Sequence, residues 1–121
     1  MLIRTTSIVL SLAGLLSLIL GLLFWTGMAL NLISMHMLLG FLAVAALWVI
    51  GVGQAFAKGG SWILAVTAFL VGTMTIVFGL YQASLMVGDF HWVVQVTHLV
   101  LGILTIGLGH MGAARYRKTP Q

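Results

Sequence analysis

Cysteine is missing from all 121 residues. Disulfides, thiolate metal sites, iron–sulfur clusters and cysteine redox chemistry are thereby excluded. Acid is almost as scarce, since Asp89 is the single Asp or Glu. A pair of carboxylates for acid–base work cannot be assembled, nor can a carboxylate-held metal. Asp89 also lies in a turn, so no span carries the embedded acid that a proton-coupled small multidrug pump needs. Charge of either sign is thin at 5% of residues, and the mean hydropathy is +1.24. That composition lies outside the soluble globular range. The chain has no room for a separate aqueous domain with a hydrolase or transferase site, and alone it makes a poor enzyme.

Long hydrophobic runs fill the space that the polar residues leave. A bilayer core takes roughly 20 apolar residues per helix. Four such spans are predicted, at about Ile8–Trp25, Leu32–Phe56, Trp62–Met86 and His91–Met111, in one all-α membrane domain covering residues 1–121. A charged residue before the first run also describes a secretory signal, but the run is long and no small-x-small cleavage site follows it. It reads as a retained anchor. The five cations sit at span ends, Arg4 and Lys58 with Arg115, Arg117 and Lys118, all on the side opposite Asp89. Membrane orientation explains them better than nucleic acid does, and the positive-inside rule expects both termini in the cytoplasm, in a bacterial inner (plasma) membrane. The tail from Arg115 is expected to be interfacial or loose.

The fourth span holds three of the four histidines. His91, Gln95, His98, Gly102, Thr105 and Gly109 recur at helical spacing and form one polar or small face. His36 begins a similar face with Gly40 in the second span. Ionisable groups at membrane depth are costly and usually face a cavity or a cofactor. A repeat joins these faces: Gly14 and Gly21 match Gly72 and Gly79 at an offset of 58, and His36-Met37-Leu38-Leu39-Gly40 matches His98-Leu99-Val100-Leu101-Gly102 at an offset of 62. The chain reads as two copies of a helix pair, related by an axis along the membrane normal.

Paired histidines in alternate spans, with glycines beside them, resemble the small four-helix cytochrome b proteins: the cytochrome b561-like family and the haem-bearing anchors of membrane dehydrogenases. The resemblance implies haem b held by His36 and His98, with Gly14, Gly21, Gly72 and Gly79 making room for the macrocycle. It implies electron transfer between a quinone and a partner protein; short loops, with little aqueous surface for substrate chemistry, lead us to expect a larger redox complex or a homo-oligomer, in contact with membrane lipid. His91 is the alternative partner of His36. Counted back from the cations, His36 lies 22 residues from Lys58, His98 17 and His91 24 from Arg115. At about 1.5 Å per residue that offsets His36 from His98 by roughly 7 Å and leaves His36 level with His91. No Lys or Arg stands in the outer half to meet the propionates, which leaves His91, Trp92, Asn31 or water. His110 is expected at the interface, and Trp25, Trp48, Trp62 and Trp92 mostly in the interfacial belts. The competing reading is a cofactor-free accessory or assembly subunit whose small-residue faces dock other helices.

Overall fold

A computed structural model describes residues 1–120. Four helices account for most of it: α1 (Leu2–Trp25), α2 (Ile33–Phe56), α3 (Trp62–Tyr81) and α4 (His91–Arg117), with a single 3-10 turn at Leu30–Leu32. Each helix is long and apolar enough to cross a membrane, and the four pack together in an up-down-up-down bundle. Where no water competes, every backbone group must bond within its own segment, which forces helix on these runs. Hydroxyls follow the same rule. Thr5, Thr6, Ser11, Thr67, Thr73, Thr97 and Thr105 each donate to the carbonyl four residues back.

The ends differ from the predicted spans. α1 begins at Leu2, ahead of Ile8, because Thr5 and Thr6 satisfy themselves on the helix and do not break it. α3 stops at Tyr81, short of Met86. Ser84 and Leu85 donate to the Tyr81 carbonyl, Met86 takes φ 47° and Gly88 φ 112°, so this apolar stretch turns. α4 continues through Arg115 to Arg117, so the start of the basic tail is helical.

The two helix pairs are related by an approximate twofold axis between α2 and α4. Gly14 of α1 packs on Ile106 of α4, and its counterpart Gly72 of α3 packs on Val44 of α2, the residue equivalent to Ile106. Gly21 abuts His36 as Gly79 abuts His98. Ser11 bonds His110, and the equivalent positions hold Phe69 against Trp48. Ile50 meets Gly112 and His36 meets His98, each pair being its own counterpart across the axis. The offsets of 58 and 62 are thus a structural repeat.

The halves of the bundle along its length are filled unequally. The half bearing the termini is packed solid, with Leu10, Leu47 and Ile50 fully buried among Ala13, Ala46, Ala68 and Ala113. Small residues bring the backbones close there, as is usual for helix contacts in lipid. Trp48 belongs to this half and not to an interfacial belt: it stacks on Phe69 at 5.5 Å, and Gly72 makes room for its indole. Gln54, also fully buried, closes the α2–α3 turn. Its amide donates to the Gly51 and Ser61 carbonyls at 3.0 and 2.7 Å and accepts from Ser61 N at 3.1 Å, while the Ser61 hydroxyl caps α3 through Leu64 N. Beyond the layer of Gly14, Val44 and Gly72 only Val94 is buried, and the helices diverge around a cavity.

Candidate functional site

The distal cavity has a volume of about 340 Å³ and draws its walls from all four helices. The histidine pair stands in its wall, and its inner end is formed by Gly14, Val44, Thr105 and Ile106. His36 lies on α2 and His98 on α4, with ring centroids 6.2 Å apart and ring planes at 69°. The two imidazoles therefore stand at one depth, and the expected offset between them does not exist. Its error lay in the zero of the ruler: with Gly112 against Ile50, Arg115 is level with Gly53 and not with Lys58. The long Arg115 side chain reaches Gly59 O at 3.3 Å from inside the helix. His91 makes no ring contact with His36 and sits at the rim instead.

The neighbouring helix fixes His36 by hydrogen bonds and leaves His98 without one. His36 Nδ1–H donates to the Ser17 carbonyl at 2.8 Å, and the Ser17 hydroxyl, 3.1 Å from the same nitrogen, donates to the His36 carbonyl at 3.3 Å. This assigns the proton of neutral His36 to Nδ1 and leaves Nε2 without a partner among the described residues. Ser17 has Thr75 as its repeat counterpart, whose backbone faces His98. The His98 Nδ1 is buried and completes no hydrogen bond. An orphaned buried nitrogen of this kind is costly and calls for an explanation at a site. Thr75 hydroxyl is turned away to the Val71 carbonyl and to Thr105, 3.1 Å distant.

Glycines shape the space beside the rings. A Cβ at Gly21 would stand 3.2 Å from the His36 ring, and one at Gly79 3.0 Å from His98. Gly40 and Gly102 also face the cavity, and a Cβ at Gly102 would meet nothing within 4 Å. Gly14 lines the inner end while packing on Ile106. Gly72 does not share this role. It lies under Trp48, where a Cβ would come within 2.5 Å of the indole nitrogen.

Phe24 and Ser17 were not singled out by the sequence reading. Phe24 sets its edge against His36 at 5.2 Å. The pairing of Ser17 with Thr75 at the offset of 58 was the available signal for the second. His110 is exposed, 3.2 Å from the Ser11 hydroxyl and remote from the cavity. Among the described residues no three metal-ligating side chains gather, so any metal here would rest on the histidine pair. Trp92 and Asn31 do not line the cavity, whereas Gln82, His91 and Gln95 do. Comparison with protein-family models, with curated proteins and with solved structures finds no match to this chain.

Proposed function

We propose that this chain is a membrane electron-transfer subunit that holds haem b between His36 and His98. The observation that carries the reading is the imidazole pair itself, at one depth on either side of the axis and facing one cavity. A metal–imidazole bond is about 2 Å, and the ring centre lies about 1 Å beyond the nitrogen, so two imidazoles on one metal stand roughly 6 Å apart centre to centre. The observed 6.2 Å agrees. Ligating histidines donate their other N–H to a backbone carbonyl, which fixes the tautomer. His36 makes that bond to Ser17, and Thr75 stands ready beside His98. The cavity volume falls within the range of small-molecule sites, and the bare glycine faces beside both rings suit a flat ligand.

Haem b supplies a one-electron couple when bound. The protein's part is to present two imidazoles without rearrangement, to close the inner end with packed side chains, and to orient His36 through the Ser17 carbonyl. His36 and His98 would together hold the iron, and a haem held by two imidazoles would serve electron transfer and not oxygen binding. Short connections leave little aqueous surface for substrate chemistry, so the reading includes a larger redox partner or a second copy, and quinone as the mobile carrier.

The purified protein, expressed with ample haem, should be coloured and give the reduced-minus-oxidised spectrum of a low-spin b haem. A colourless protein overturns the reading and leaves the accessory-subunit alternative. Orientation has its own test. Positive residues cluster at the terminal end, so a reporter fused after residue 121 that is active only in the cytoplasm should be active. Activity of a periplasm-only reporter at that position would reverse the topology.

A further inference from the structure

The histidine pair obeys the twofold repeat, but the mouth of the cavity does not. His91, Gln95 and Gln82 line the α3–α4 side. Their counterparts by the offsets of 62 and 58 are Ala29, Ile33 and Phe24, which are apolar. The hydroxyls of Ser17, Thr75 and Thr105 are committed to one another, to carbonyls or to His36. The side-chain amides of Gln82 and Gln95 make no hydrogen bond among the described residues, and His91 uses only Nδ1, donating to the Leu85 carbonyl at 3.0 Å. Polar donors without partners, on one side of an otherwise symmetric cavity, fit a ligand with a polar edge.

Building on the haem reading, we propose that Gln82, His91 and Gln95 receive the porphyrin carboxylates at the distal mouth. No Lys or Arg lines the cavity, so an anion there must be held by other donors, and three polar side chains gather on the α3–α4 side against the single Trp25 indole on α1. The amides donate N–H directly. His91 keeps its Nδ1 on the Leu85 carbonyl, which leaves Nε2 free at the mouth, where it donates to a carboxylate when the ring carries both protons. On the opposite side Phe24 gives the ligand an apolar wall against His36.

The test compares ferric haem with its dimethyl ester, titrated into the full-length apoprotein in detergent and followed by absorbance. The ratio of the two dissociation constants cancels most of what partitioning into detergent contributes. Replacing His91→Leu and Gln95→Leu together should cut the preference for the diacid by about tenfold or more, while ester affinity stays as in wild type. An unchanged ratio overturns the proposal. Should the double variant lose ester binding as well, Gln95→Glu takes its place: the added like charge should weaken haem and spare the ester, and equal effects on both refute the rim. Wild type that binds neither compound removes the haem reading and the rim with it. Wild type that binds both without preference removes the rim alone.

Discussion

His36→Ala and His98→Ala should each leave the protein without haem, even in haem-replete cells. Both rings line one cavity, and one imidazole cannot replace the other because they project from different helices, His36 from α2 and His98 from α4. Losing a ligand should weaken binding by more than the roughly 10- to 100-fold that follows loss of a mere supporting partner. His110→Ala should keep the spectrum, since that side chain lies against Ser11 away from the cavity. His91→Ala should also keep it at saturating haem, with weaker affinity. Haem content after purification and the reduced spectrum decide the matter. Loss of colour in His91→Ala, with His98→Ala still coloured, would move the ligand pair to His36 and His91.

The largest expected loss of stability lies far from the cavity, at Gly60. A Cβ there would run into the Gln54 carbonyl oxygen and stand 2.7 Å from Ala55 O and 2.9 Å from Ala55 C. These are backbone atoms at the end of α2, so no rotamer change relieves the contact. Gly60 N also donates to Ala57 O at 2.8 Å, which fixes the turn where the clash would fall. Gly60→Val must therefore open the turn, pull Ser61 from Gln54 and strip the cap from α3. We expect a cost of about 3 kcal/mol, the sum of overpacking and broken buried hydrogen bonds. Gln54→Leu, which removes the amide but leaves the turn its space, should cost less. Gly107→Ala is the control: nothing lies within 4 Å of its added Cβ, and alanine in a helix is worth roughly 0.5–1 kcal/mol over glycine. Unfolding midpoints in one detergent give the comparison. A Gly60→Val protein as stable as wild type would show that the turn is not held as described.

Four membrane-length helices were legible because the apolar runs are long and almost uncharged, and that signal needs no tertiary knowledge. The pairing of His36 with His98 was legible too, through a repeat in which the rare residue recurs beside Gly40 and Gly102. Distances along the chain misled where a residue's height depends on packing. Arg115 looked like a helix end and is an inner position. Met86 looked like membrane and lies in a turn, since hydropathy does not register left-handed backbone. Gly72 carries the same sequence signal as Gly79, yet one lies beneath Trp48 and the other against His98. Which neighbour a glycine admits is settled by the facing helix, and sequence spacing alone carries no trace of that.

The unequal filling of the bundle also determines where a membrane voltage would fall. Without a ligand, a distal cavity open to water would carry the potential of its own compartment inward past His36 and His98. The closed layer of Leu10, Leu47, Ile50 and Ala113 is an insulator, and the electric field is concentrated across it. A charge passing between the histidine pair and the terminal face thus crosses most of the voltage, about 2.3 kcal/mol per elementary charge for each 100 mV. The same layer stops protons from leaking through, so one end of this small bundle can be wet while the membrane stays sealed.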